Sequence, residues 1–371
     1  MFMLAACAHL KPVDKSEHVQ LDPLTITGDL ELERLNDEEL FAAATAYYAA
    51  ADFAQAARYF SRIADFHRKS PHWRASVYNA GLALEKLKAW EDAYHRFSEL
   101  SAPDACVADD SLDAAFRVAE TLYHLERFAA AIDVLTRIGA CKALPPNKRI
   151  EARVQQGVCE LEAGQRETAQ LTFRKVIEAW TSGADKDLID DYFPAQAQFF
   201  LGETFRLHYE DVSLNADKST DELAKDLEYK SELLLSAQGH YLRAIRIGNG
   251  YWATAAGQRI GGLYESFYEH MTQAPAPKEL SSDEADVYRQ ELRRKIRVLL
   301  TKAITIYERT LETAERIGAQ SPFVEQTKAS LRHMRDLLLA DADGASDEVA
   351  PPPPPPPATP SAKDKPPGPR S

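Results

Sequence analysis

One spacing limits what this chain can fold into. Ala56, Ala93, Ala131 and Ala169 follow one another at intervals of 37, 38 and 38 residues. Four residues after them stand Phe60, Phe97, Leu135 and Phe173, and seven after them Ile63, Leu100, Ile138 and Val176. Twelve and nine residues before them stand Ala44 and Tyr47, Gly81 and Leu84, Ala119 and Leu122, and Gly157 and Glu160. Residues three and four apart share one face of a helix. Each unit therefore reads as two short helices, whose small residue allows close approach while the large ones fill the groove between repeats. Only Glu160 breaks the register. Units that agree in phase over this distance predict an array of stacked helix pairs.

The rest of the sequence agrees. Alternating β-branched runs and hairpin dipeptides flanked by apolar residues are missing, whereas helix formers dominate. Apolar spacing of helical period runs from Leu40 to Leu339, punctuated by prolines such as Pro71, Pro103 and Pro194. The fold class is all-α.

The segments Tyr47 to Pro71 (YYAAADFAQAARYFSRIADFHRKSP) and Val77 to Leu100 (VYNAGLALEKLKAWEDAYHRFSEL) carry a small residue and a Tyr or Leu in the first helix and A-x3-F in the second. They resemble the tetratricopeptide repeat, with longer linking loops. The resemblance implies a right-handed α-solenoid that binds protein partners. A fifth unit begins at QFFLGETF (residues 198–205), with Gly202 in the small position, and is answered only at Ala237, Tyr241 and Ala244. A sixth places Gly261 and Tyr264 before Ala303 and Tyr307. Both late units contain insertions, read as long helices over Thr220 to Ile247 and Ser281 to Gly318. Ser281 and Glu284 have capping-box spacing, and Phe323 to Leu339 caps the array.

In such an array the first helices line the concave face. The offsets that point there select Phe41, Tyr48, Tyr78, Asn79, Phe116, Arg117, Glu120, Tyr123, Phe199, Phe200 and Arg206. Interfaces favour aromatic residues and arginine, so these are the expected groove for an extended or helical peptide. The alternative is that the leader or the C-terminal helices fill it.

Organisation follows as residues 1–35, a leader; 36–182, four repeats; 183–340, degenerate units with long helices; and 341–371, an acidic then Pro-rich tail. Of the 21 prolines, 11 lie in residues 351–371. Pro351 to Pro357 predict polyproline II, and order is expected to end near residue 340. Leu4-Ala5-Ala6-Cys7 resembles the lipobox of bacterial lipoproteins, which would make Cys7 a lipidation site. Only Met1 to Met3 precede the box, too few for a signal peptide. Either the start codon lies further upstream, or the N-terminus is an ordinary cytoplasmic one. Ala8, where an Asp would favour inner-membrane retention, points to the outer membrane, facing the periplasm. Residues 251–268, 274–277 and 303–318 are similar to the C-terminal half of tetratricopeptide lipoproteins of delta-proteobacteria associated with gliding motility and with Tol or TonB-ExbB type envelope machines.

Catalytic chemistry is not indicated. There is no phosphate-binding loop, nucleophile elbow or zinc-protease motif. GQRIGG (residues 257–262) reads as close helix packing, and His67 and His72 flank Pro71 without metal-ligand spacing. No catalytic residue, metal, cofactor or small-molecule substrate is expected. With 44 Lys+Arg against 57 Asp+Glu the net charge is −13, which speaks against nucleic acid. Cys106 and Cys141 fall in equivalent loops of neighbouring repeats, where they form either a disulfide or two free thiols, and Cys159 is expected as a buried reduced thiol. Two functions stand: a scaffold in the cell envelope, touching the membrane only through a lipid anchor and binding envelope proteins, or a soluble cytoplasmic co-chaperone or adaptor.

Overall fold

The computed structural model describes residues 31–101, 106, 110–182, 190–214 and 218–346. Cys7, the leader before residue 31 and the Pro-rich tail lie outside them. Among the described residues all regular structure is helical, and the chain divides after Leu100 into two compact units. The division falls between the second and third of the four expected repeats.

The first unit holds α1 (Asp37–Ala49), α2 (Phe53–Phe66), α3 (Trp73–Lys86) and α4 (Trp90–Leu100). Asn36 starts α1 with a capping box: its side chain accepts from Glu39 N at 2.9 Å, and the Glu39 carboxylate accepts from Asn36 N at 3.0 Å. Leu40, Ala44, Phe60 and Ile63 form the core, each at most 1% exposed. The leader expected to run free to residue 35 ends sooner. Leu32, in a 3-10 turn over Leu32–Arg34, is buried in this core, and Leu35 packs against it. Burying a leucine side chain is worth about 1.5–3 kcal/mol, enough to draw the segment in. Between the pairs, Trp73 donates its indole N–H to the Ala64 carbonyl at 2.9 Å.

The second unit holds α5 (Asp110–His124), α6 (Phe128–Ala140), α7 (Pro146–Glu162), α8 (Arg166–Thr181), α9 (Tyr192–Asp211), α10 (Thr220–Ile247), α11 (Gly250–Gln273), α12 (Ser282–Ile317) and α13 (Pro322–Ser346). The expected long helices are α10 and α12. Ser281 caps α12 with Glu284, and Gly318 closes it in the left-handed conformation at φ 65°. Helix α13 runs to Ser346, a few residues past the expected end of order near residue 340.

The four short pairs share a turn that the spacing did not reveal. Ala51, Lys88, Glu126 and Gly164 all have positive φ, between 58° and 76°. In each turn the next amide donates back across five residues: Asp52 to Tyr47, Ala89 to Leu84, Arg127 to Leu122 and Gln165 to Glu160, at 2.8–2.9 Å. This is a Schellman-type ending, and three of its four left-handed positions carry a side chain.

Where the small residue of a first helix is glycine, it is a hole filled by its own second helix. A Cβ on Gly81 would lie 2.6 Å from the Phe97 ring, and one on Gly157 2.6 Å from Phe173. The late units keep the rule across their insertions. A Cβ on Gly202 would lie 2.5 Å from Tyr241, and Gly261 is covered by Tyr307. Gly257 is covered likewise by Thr310, so the GQRIGG glycines serve helix packing, as expected.

Candidate partner-binding groove

In the second unit, α5, α7 and α9 present one wall of a recess of about 250 Å³. Its floor is apolar: Ala119 and Tyr123 from α5, Leu135 from α6, Val158 from α7. Its rim is polar, made by Glu120, Gln155 and Gln196. The helical period places these residues together, since Glu120 and Tyr123 are one turn apart, as are Gln155 and Val158.

Electrostatics suit recognition rather than catalysis. Arg117 reaches Glu120 at 2.8 Å on the rim, where both remain partly exposed. Tyr123 is half-buried and edges against Phe128 at 5.7 Å. Burial raises its pKa, helped by Glu162 and Cys159, so it stays a neutral phenol. Cys159, also lining the recess, is a free buried thiol pushed up to about 12, first by burial and then by Glu160 and Glu162. A thiol so disfavoured as thiolate is a poor nucleophile. Glu160, the residue that broke the register, is 2% exposed and accepts from Gln156 Nε2 at 2.7 Å.

The expected groove residues divide. Arg117, Glu120 and Tyr123 belong to this recess or its rim. Phe116, one turn away from Glu120, is 8% exposed and buried rather than presented to solvent, with the Lys148 ammonium 5.3 Å from its ring. Phe199 is 3% exposed, wedged between Tyr241 at 5.4 Å and Trp252 at 5.1 Å. Phe200 stacks on Phe173 at 5.7 Å. Arg206 holds Glu203 at 2.9 Å and also pairs with Glu210. Phe199, Phe200 and Arg206 lie on α9, against which α10 and α11 both pack, whereas Phe116 on α5 is met by the start of α7. In the first unit Phe41 stacks on His72 at 4.4 Å, Tyr48 edges on Phe53 and Tyr78 on Phe97, and Asn79 is half-buried. Their rings are partly spent on that unit's own packing.

Cys106 and Cys141 form a disulfide in the second unit, with Cα atoms 5.6 Å apart. It ties the segment before α5 to the end of α6, the two helices that supply Tyr123 and Leu135.

Sequence reasoning missed a buried polar seam. The Glu203 carboxylate, 6% exposed, accepts from Arg259 Nε at 3.0 Å, from Arg206 Nη2 at 2.9 Å and from the Tyr241 hydroxyl. Burial works against the Arg206 charge, but Glu203 outweighs it and holds the guanidinium pKa above its ordinary value. Lys230, 1% exposed, donates to the Tyr209 and Val212 carbonyls at 2.7 Å each, closing the end of α9. A lone Glu beside the small Gly202 and a Lys among the apolar positions of α10 were the available signals.

A family model described as the tetratricopeptide repeat matches residues 151–180, the α7–α8 pair built on Gly157 and Phe173. That pair is similar to the tetratricopeptide repeat, a repeat that typically binds protein partners. No curated protein matches. Among solved structures, a TPR repeats protein of Bacteroides fragilis is 14% identical with TM-score 0.29, over 62% of this chain and 99% of its own. A tetratricopeptide repeat protein of Parabacteroides merdae is 13% identical with TM-score 0.35, over 81% and 98%. The assembly chaperone of RpL4 is 14% identical with TM-score 0.29, over 84% and 100%. Among the described residues no helix is long and apolar enough to cross a membrane.

Proposed function

We propose that this chain is a non-catalytic scaffold of the bacterial cell envelope, lipid-anchored at Cys7 on the periplasmic side of the outer membrane. There it helps assemble or stabilise a multiprotein machine of the motility or Tol/TonB-ExbB type. The recess between α5, α7 and α9 carries the binding part of this reading. An apolar floor with Tyr123 beneath an amide-bearing rim suits a peptide that lays an apolar side chain inward and its polar backbone on Gln155 and Gln196. The Cys106–Cys141 bridge supports the location, because disulfides persist in oxidising compartments and are rare in the cytosol. That same bridge disfavours the cytoplasmic co-chaperone reading.

A photo-crosslinking residue placed at Gln155 in full-length protein in native cells tests both parts. Capture of an envelope protein, lost on Tyr123→Ala, is the expected result. Capture of cytosolic proteins only would overturn the location, and capture unchanged by Tyr123→Ala would place the partner elsewhere.

A further inference from the structure

Helix α11 carries Glu265 and Glu269 one turn apart, and α13 lies against it. His333, on the facing side of α13, completes a group of three: one ligand atom from each of Glu265, Glu269 and His333 lies within 4.8 Å of the others. Two carboxylates and an imidazole, drawn from two helices, form a mixed oxygen and nitrogen donor set. That is the composition of sites for zinc and neighbouring transition metals, in which three protein ligands leave one position open. A tetrahedral ion with bonds of about 2.0–2.1 Å needs its ligands roughly 3.3 Å apart. Glu269 and His333 are exposed and have the rotamer freedom to close that difference.

The third ligand is held in place. Glu265 is half-buried, and its Oε2 accepts from the Tyr307 hydroxyl of α12 at 2.7 Å. Fixing a carboxylate from behind in this way orients it for metal. Two cations of α13 engage other acids: Arg335 holds Glu308 at 2.6 Å and Lys328 holds Glu325 at 2.7 Å.

We propose that Glu265, Glu269 and His333 bind one zinc-type divalent ion, which staples α13 to α11. The reading is independent of the groove and of the location proposed above. The test is a titration of ZnCl2 into chelator-treated full-length protein, read by calorimetry and by the melting temperature, with MgCl2 as the comparison ion. One Zn²⁺ per chain is expected, with a raised melting temperature and little response to Mg²⁺. His333→Ala and Glu269→Gln, both at exposed positions, should keep the metal-free helicity and melting temperature of the parent. Each should weaken Zn²⁺ binding about tenfold or more, whereas His95→Ala, an exposed histidine in the other unit, should not. Absence of Zn²⁺ binding, or binding that either variant leaves unchanged, would overturn the proposal.

Discussion

The pairs α7–α8 and α9–α10 meet the same packing need with side chains that differ by one oxygen. In the short pair Phe173 covers Gly157 and stacks on Phe200, and its contacts are apolar. In the long pair Tyr241 covers Gly202 and carries its hydroxyl to Glu203, which gathers Arg206 and Arg259 from two helices. The α11–α12 pair repeats this, with Tyr307 over Gly261 and its hydroxyl on Glu265. Helix length changes in step: α8 has 16 residues, α10 has 28 and α12 has 36. A long helix with many similar apolar rows can slide by one turn at little loss of apolar contact. A buried hydrogen bond at the hole is satisfied in one register only, and polar groups are best attested in fixing register. The short pairs are fixed instead by their tight turns.

The largest test of that difference is Glu203→Ala. It leaves two guanidinium groups and a phenol around an apolar methyl, and breaking a buried charge cluster in this way costs about 3–5 kcal/mol. Urea denaturation of the second unit should report it. A loss below about 1 kcal/mol, the level of an exposed ion pair, would show that the seam does not fix the register.

Next come the hydroxyls. Tyr241→Phe and Tyr307→Phe each remove one bond to a carboxylate and should cost about 1.5–3 kcal/mol. Burial first, and then the neighbouring carboxylate, raises the pKa of both phenols. Such groups stabilise the fold fully below the ordinary tyrosine value and lose that contribution as pH rises above about 10. Alkaline denaturation should therefore be steeper in the parent than in either variant. A matching alkaline profile would remove the phenols from the argument.

In the short pairs, Gly157→Ala and Gly81→Ala set a methyl against a phenylalanine ring and should cost about 1–3 kcal/mol by overpacking. Melting temperatures would show it. The smallest effect has the opposite sign. Lys88→Gly and Glu126→Gly relieve left-handed backbone at the turns and should stabilise by about 0.5–1 kcal/mol. Equal or lower stability in chemical denaturation would mean that the turns are not where short pairs are held.

Much of this architecture was legible. The alternation of a small residue with a large one located six pairs, including two whose halves lie far apart, because a hole and its filler leave a size pattern that insertions do not erase. The capping box at Ser281 and Glu284 gave the start of α12. What depends on the neighbour two helices away was not legible. Phe199 and Phe116 carry the residue type and offset of groove residues, yet α11 and the start of α7 decide that they are buried. His333 stands 64 positions from Glu269, and only the packing of α13 brings them together. At the groove, Glu120 and Tyr123 could be read from one helix. Gln196, from α9, could not.

Lys230 has a use that concerns time rather than stability. Burial lowers its pKa to about 8, so in mildly alkaline solution much of it is a neutral amine, the form that acylating reagents attack. It is also 1% exposed, with its nitrogen on two carbonyls at the end of α9. Reagent can reach it only when α10 parts from α9. Its labelling rate, measured against the exposed Lys225 five residues earlier, is then a clock for that opening, set at a single position in the unmodified sequence.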